Sequence, residues 1–95
     1  MREATFQSKV IGFLKKKGCY TIKINQDAKS RSGDPDVVAF KEGWWGWFEV
    51  KESKTAKCRP LQPEKIAWAK ENSYGVIVYP ENFEQVKKEL EDILK

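Results

Sequence analysis

Histidine is absent from the 95 residues of this chain. Ser-His-Asp catalysis, Cys-His catalysis and imidazole-ligated metal sites are therefore excluded, so any catalysis must use carboxylates, lysine and the backbone. Only two cysteines are present, Cys19 and Cys58, and they form no C-x-x-C pair. A zinc site is not expected, and we predict two reduced thiols that pack as small apolar groups.

Long apolar runs are also missing, since none approaches the roughly 20 residues that a membrane-spanning helix needs. The first ten residues, MREATFQSKV, lack the charged-then-apolar pattern of a signal peptide. We therefore expect an intracellular, cytoplasmic protein with no membrane partner. The length predicts one domain, residues 1–95, and the 40% hydrophobic content is enough for a packed but small core.

The positive charge of the chain is unevenly distributed. The net charge is +4, but residues 1–61 hold 13 Lys/Arg and 7 Asp/Glu, a net +6, whereas residues 62–95 hold 5 and 7, a net −2. A basic field favours polyanionic partners such as nucleic acid.

Hydrophobic periodicity and turn residues predict an α/β chain with elements in the order α-β-β-β-α-β-α. The predicted helices cover residues 2–17, 61–72 and 82–94, and the predicted strands cover 19–24, 36–40, 44–51 and 75–79. The apolar face of the first helix is assigned to Ala4, Val10, Ile11 and Leu14, with Phe6 and Phe13 at its edges. That of the last helix, which Asn82 is predicted to cap, is assigned to Phe83, Val86, Leu90 and Ile93.

Charged residues interrupt an otherwise apolar region in GDPDVVAFKEGWWGWFEVK, residues 33–51. A turn at residues 41–43 predicts a hairpin of the second and third strands. Strand side chains alternate between faces. One face is therefore expected to carry Trp45, Trp47, Glu49 and Lys51, and the other, the better core face, Trp44, Phe48 and Val50.

The hairpin brings Asp36 to the end of the third strand that holds Glu49 and Lys51. Taken singly, Glu49 and Lys51 have an ordinary interpretation as exposed cross-strand charges, and Asp36 as a turn residue. Together they indicate Mg²⁺, which prefers one or two carboxylates with water and phosphate oxygens, and the Val50 carbonyl is a further candidate ligand. The Lys51 ammonium would orient the attacking water and stabilise developing charge.

These residues resemble the PD-(D/E)XK nuclease superfamily. Pro35-Asp36 matches its first element and Glu49-Val50-Lys51 its E-x-K element, with 12 residues between Asp36 and Glu49. The resemblance to the VRR-NUC family spans nearly the whole chain. It adds Glu3 in the first helix, Gly33 before Pro35-Asp36, and Gln62 at the start of the second helix. That family includes small stand-alone phage proteins and nuclease domains of larger DNA-repair enzymes.

The resemblance implies a restriction-endonuclease-like core with a mixed sheet flanked by helices. It implies a metal-dependent, structure-selective DNA endonuclease that hydrolyses phosphodiester bonds at Holliday junctions as a homodimer. The expected cofactor is Mg²⁺, with Mn²⁺ able to substitute, and no nucleotide cofactor is expected. If the chain is viral, its location would be the host cytoplasm.

The resemblance also assigns roles to individual residues. Asp36, Glu49 and the Val50 carbonyl would bind the metal, and Glu3 would reach it directly or through water. Lys51 would be the catalytic lysine, and Gln62 would position a water, the lysine or a phosphate. Basic residues in the flanking loops are expected to contact the DNA backbone: Lys29, Arg31, Lys54, Lys57 and Arg59.

Other interpretations remain open at this point. The chain is alternatively a non-catalytic nucleic-acid-binding module, a nuclease of the same fold acting on duplex, flap, end or RNA substrates, or a structural subunit that docks through residues 44–47. For Trp45 and Trp47 the sequence favours core packing, then a dimer surface, then a base-stacking platform.

Overall fold

The structure, a computed structural model, describes residues 2–24, 34–56 and 62–95, with only the backbone of Gln62. Its helices and strands, in chain order, are α1 (Glu3–Lys16), β1 (Tyr20–Lys23), β2 (Val37–Lys41), β3 (Trp44–Val50), α2 (Gln62–Asn72), β4 (Tyr74–Val78) and α3 (Phe83–Ile93). A 3₁₀ turn, Pro80–Asn82, precedes α3. The predicted order is confirmed, and each predicted boundary moves by at most one residue.

The described strands form one mixed sheet in the order β1-β2-β3-β4. β1, β2 and β3 are antiparallel neighbours, and β4 runs parallel to β3 after the crossover through α2. The hairpin turn consists of Glu42 and Gly43, both with positive φ (45° and 84°). Positive φ at both positions gives the backbone twist that a two-residue hairpin needs. Lys41, predicted in the turn, belongs to β2 opposite Trp44.

One face of the sheet, here the core face, packs against α1 and α3. Its fully buried strand residues are Val37, Ala39, Phe48, Val50 and Val78. The helices contribute Phe6, Val10, Leu14, Val86, Leu90 and Leu94 to the same cluster. The prediction that this is the better-buried face of β3 is confirmed.

Three predicted positions on the helices are wrong. Phe6, predicted at an edge, is 1% exposed and packs edge-to-face against Phe83 with ring centroids 5.2 Å apart. Phe6, Val10 and Leu14 follow a four-residue spacing along one face of α1, which leaves Ala4 exposed. Ile93, the last residue of α3, is likewise exposed. Leu94, which follows it, is buried in the core in its place.

Asn82 stands at the position before α3, but its side chain makes no capping bond to the helix. Its Oδ1 accepts a hydrogen bond from the Tyr79 N–H (2.9 Å), and its Nδ2 donates one to the Ile77 carbonyl (3.0 Å). The side chain therefore fastens the 3₁₀ turn to β4, a function that the sequence pattern did not predict.

Lys41 joins the ends of two helices on the core face. Its Nζ donates to the carbonyls of Lys17 (2.7 Å) and Leu94 (3.3 Å), where a cation is favoured by the helix dipoles. Cys19 beside it is a buried free thiol, as predicted. Burial raises the pKa of the Cys19 thiol, and the Lys41 charge acts in the opposite direction. Cys58 lies outside the described residues.

The other face of the sheet, here the α2 face, is covered over β3 and β4 by α2. The contact is closest at Gly75, where an added Cβ would lie 2.5 Å from the Ile66 carbonyl oxygen and 2.8 Å from the Ala69 Cβ. Only glycine allows the helix backbone to approach the strand this closely.

We expect Gly75→Ala to lower the free energy of unfolding by about 1–3 kcal/mol, because the methyl group must displace the α2 backbone. Gly12→Ala is the matched control. Gly12 lies inside α1 with no atom within 4 Å of an added Cβ, so this substitution should raise stability by about 0.5–1 kcal/mol. Urea denaturation followed by circular dichroism measures both changes. A Gly75→Ala protein as stable as the wild type would contradict the close contact.

Candidate active site

The predicted acidic residues lie at the same end of the hairpin of β2 and β3. Val37, the residue after Asp36, pairs with Phe48, the residue before Glu49. The Asp36 carboxylate accepts a hydrogen bond from the N–H of Val50, so this side chain reaches β3 next to Glu49. Lys51 follows Glu49 by two residues, and the structure therefore brings all three together.

Glu49 and Lys51 form a buried ion pair. The Lys51 Nζ lies 3.2 Å from the Glu49 Oε2. Glu49 is 2% exposed and Lys51 is 8% exposed. The interpretation of these two residues as exposed cross-strand charges is wrong. β3 is an inner strand of the sheet, and α2 packs on the face that carries them.

Asp36 is a buried continuation of β2 rather than a turn residue. Its N–H donates to the Phe48 carbonyl (3.1 Å), and its own carbonyl accepts from the Ile24 N–H (2.8 Å). Its carboxylate Oδ2 accepts a hydrogen bond from the Val50 N–H at 2.9 Å. A hydrogen bond from the backbone to an ionised carboxylate is stronger than one between neutral groups, and it holds this side chain in place.

Val50 contributes only its backbone to this site, because its side chain is fully buried in the core face. The N–H and C=O of an extended residue point to the same side of the strand. Since the N–H points at Asp36, the Val50 carbonyl lies on the Asp36 side of β3. Asp36, Glu49 and this carbonyl together form a set of hard oxygen donors of the kind that Mg²⁺ binds.

Glu3 is not brought into this set. It is the exposed first residue of α1, which packs against the core face, whereas Asp36 and Glu49 belong to the α2 face. Within the described residues, no three His, Cys, Asp or Glu side chains are close enough together to hold a metal ion. Direct coordination by Glu3 as a third carboxylate therefore does not fit, and a water-mediated contribution stays a prediction.

The remaining predicted residues are placed only in part. Gln62 is the first residue of α2, as predicted, but its side chain is outside the described part of the chain. Lys54 is exposed in the turn after β3. The other predicted DNA-contacting residues lie outside the described residues: Lys29, Arg31, Lys57 and Arg59.

An ion pair that the sequence did not reveal lies beside the site. The Lys65 Nζ in the first turns of α2 is 3.1 Å from the Asp34 Oδ1, two residues before Asp36. The partners are separated by 31 residues, so no local pattern signals their contact. The pair is about one-third exposed, so its contribution to stability is at most about 1 kcal/mol.

Trp45 and Trp47 pack against Trp68 of α2. The Trp45 and Trp68 rings are stacked, with centroids 5.7 Å apart and planes at 25°, and Trp47 lies 5.4 Å from Trp68. Packing, the first of the three interpretations of these tryptophans, is thus observed. Trp68 as their partner was missed, because nothing local links α2 to β3.

No helix among the described residues is long and apolar enough to cross a membrane. No protein-family model, curated protein or solved structure matches this chain.

Proposed function

We propose that this chain is a metal-dependent DNA endonuclease of the PD-(D/E)XK superfamily and its VRR-NUC family, with Asp36, Glu49 and Lys51 as its active site. The observation that carries the proposal is the burial of two carboxylates at the same end of the β2–β3 hairpin, with an ammonium 3.2 Å from one of them. Each buried ion costs several kcal/mol of desolvation, and apolar residues would stabilise the sheet better. A chemical function accounts for this cost.

The donor set fits Mg²⁺, and Mn²⁺ is expected to substitute. Asp36, Glu49 and the Val50 carbonyl would hold the ion, with waters completing a shell that the protein supplies only in part. When bound, the ion supplies Lewis-acid activation of water and neutralises charge on the phosphate.

Side chains and backbone groups of the protein would orient the attacking water and stabilise the charge that develops on the phosphate. The Lys51 ammonium lies 3.2 Å from the Glu49 Oε2 as an ion pair. Its three N–H donors can orient a water or donate to a phosphate oxygen as negative charge develops. The Val50 N–H keeps the Asp36 carboxylate directed at the site. Gln62 is expected to position the water, Lys51 or a phosphate, and Glu3 to act through water.

The fold and the charge support a DNA substrate. The element order and the mixed sheet flanked by helices fit the restriction-endonuclease-like core that the resemblance implies. The basic first 61 residues, including Lys29, Arg31, Lys54, Lys57 and Arg59, favour contact with a phosphate backbone. A domain this small has little surface for reading base sequence, which favours selection of DNA structure.

A Holliday junction cut by a homodimer is the substrate that we propose, since two symmetric cuts need two active sites related by a twofold axis. The aromatic strand β3 lies between β2 and β4, so its edges are already paired. The dimer is therefore expected to use another surface than the backbone of β3.

The proposal is tested by offering a synthetic four-way junction, a duplex, a flap and a single strand to the wild-type protein with Mg²⁺, Mn²⁺ or EDTA. We expect paired metal-dependent cuts near the branch point, which Lys51→Ala abolishes. Preferential cutting of the duplex or flap would support the nuclease activity but show that the Holliday junction is not the preferred substrate. Metal-independent binding without any cutting would instead establish the non-catalytic binding module.

A further inference from the structure

Aromatic residues occupy neighbouring positions across the α2 face. Tyr20 of β1 lies opposite Phe40 of β2, and Phe40 lies opposite Trp45 of β3. Trp68 of α2 stacks on Trp45 with ring centroids 5.7 Å apart. Tyr20, Phe40, Trp45 and Trp68 are named the aromatic band. It begins at the edge strand and ends on the helix that covers the candidate active site.

Much of the aromatic band is exposed, because α2 packs over β3 and β4, whereas Tyr20 and Phe40 belong to β1 and β2. Tyr20 is 70% exposed, Phe40 41% and Trp68 51%. A contiguous exposed apolar patch on a small domain marks a binding surface. The stability of the fold does not explain it, since exposed rings contribute little to the core.

An open cavity of about 550 Å³ lies at the hairpin end of the band. Tyr20, Phe40 and Trp45 line it from the α2 face, and Lys41 and Trp44 line it from the core face around the edge of the hairpin. The exposed rings of Tyr20 and Phe40 at this edge suit a flat heterocycle. The flat π-face of a nucleobase fits this description, and base–aromatic stacking tolerates every base.

We propose that the aromatic band binds unpaired nucleobases of a DNA strand that runs from the band to Asp36, Glu49 and Lys51. The band and the carboxylates share one face. Trp45 and Glu49 are four residues apart on β3, which is about 13 Å along the strand. The net charge of +4 favours a polyanion over a second copy of the same chain. The identity of the strand as DNA rests on the proposed function.

The inference is tested in EDTA, where no cleavage occurs, by the fluorescence anisotropy of a labelled single-stranded oligonucleotide of about a dozen nucleotides. We expect Tyr20→Ala and Phe40→Ala each to weaken binding roughly tenfold, since one stacked base is lost. Tyr20→Leu keeps apolar area without a ring and should weaken binding similarly, whereas Tyr20→Phe should bind as the wild type does.

Ile93→Ala is the matched control, because Ile93 is an exposed apolar residue (46%) on α3, which packs on the opposite face. It should leave binding unchanged. Circular dichroism checks that each variant is folded, which is expected for side chains this exposed. Light scattering of the wild type and Tyr20→Ala measures whether the band instead joins two copies.

Three results would overturn the inference: unchanged binding in Tyr20→Ala and Phe40→Ala, full binding in Tyr20→Leu, or a wild-type dimer that Tyr20→Ala converts to monomer. If the protein bound the oligonucleotide through the band but cut no substrate, binding of nucleobases by the band would be supported and the proposed nuclease activity would be refuted. Junction cleavage with unaltered binding by the band variants would refute this inference alone.

Discussion

Asp36→Asn is expected to lose metal-dependent cleavage of the four-way junction by about a thousandfold or more. The substitution keeps the size of the side chain and removes the negative charge that would hold the ion. A bound metal supplies several kcal/mol of transition-state stabilisation, and about 4 kcal/mol corresponds to a thousandfold in rate. Single-turnover cleavage at saturating protein concentration measures the loss without interference from binding.

The same variant should lose its stabilisation by Mg²⁺. An ion that binds only the folded protein stabilises it by about 1.4 kcal/mol at ten times its dissociation constant. That corresponds to a rise in melting temperature of several degrees for a domain of this size. We expect this rise for the wild type and not for Asp36→Asn. Thermal unfolding with and without Mg²⁺ measures it, and no nuclease activity is needed.

Asp34→Asn is the matched control for both measurements. It neutralises an acidic residue only two positions away, which forms an ion pair with the one-third-exposed Lys65. This variant should retain both cleavage and the shift with Mg²⁺. If Asp36→Asn cut the junction at the wild-type rate, or if both variants lost activity equally, the assigned metal site would be wrong.

Lys51→Met is expected to lower the free energy of unfolding by about 3–5 kcal/mol in EDTA. It removes the ammonium that lies 3.2 Å from the Glu49 carboxylate and leaves that carboxylate buried. Breaking a buried ion pair from one side costs this much because the remaining charge is still desolvated. Urea denaturation at neutral pH, with the midpoint and slope both fitted, measures the loss.

A double variant and a matched single variant test whether the unpaired, buried Glu49 carboxylate causes the loss of stability in Lys51→Met. Glu49→Gln/Lys51→Met removes both charges and should recover most of the lost stability. Lys65→Met breaks an ion pair of nearly the same length, 3.1 Å, whose side chains are 31% and 35% exposed. It should cost less than about 1 kcal/mol. If Lys51→Met lowered the free energy of unfolding no more than Lys65→Met does, burial would not make the Glu49–Lys51 pair costly to break from one side.

The size of this effect bears on the activity assays. A domain of this length is stabilised by about 5–15 kcal/mol in total, so loss of Lys51 can leave a marginal fold. Inactivity of a Lys51 variant is therefore informative only where its folding has been checked. Lys51→Arg keeps the positive charge and separates the two effects: it should retain stability better than Lys51→Met.

Much of the fold could be predicted because its signals are local. Alternation of side chains placed Glu49 and Lys51 on one face of β3 and Phe48 on the other, as the structure has them. The Glu42-Gly43 turn follows from the conformational freedom that a tight hairpin needs. The breaks between apolar runs set the order of the helices and strands. Each of these features depends on residues that are close together in the chain.

Burial and distant contacts could not be predicted in the same way. Alternation says that Glu49 and Lys51 share a face, but only the packing of α2 decides that this face is covered. Among the described residues, Glu3 forms no metal-binding group with the two carboxylates, and no pattern within α1 could show this. The Asp34–Lys65 pair joins residues far apart in the chain, and no periodic pattern encodes it.

The order of the elements, the two faces of β3, the basic charge and the motif that links Asp36, Glu49 and Lys51 could all be read from the amino-acid sequence. The burial of these charges, the continuation of β2 through Asp36 and the aromatic band of Tyr20, Phe40, Trp45 and Trp68 depend on how the folded chain packs. The difference lies in the range of the interactions. Backbone geometry imposes its period on neighbouring residues, whereas desolvation and ring stacking depend on which distant segments pack together.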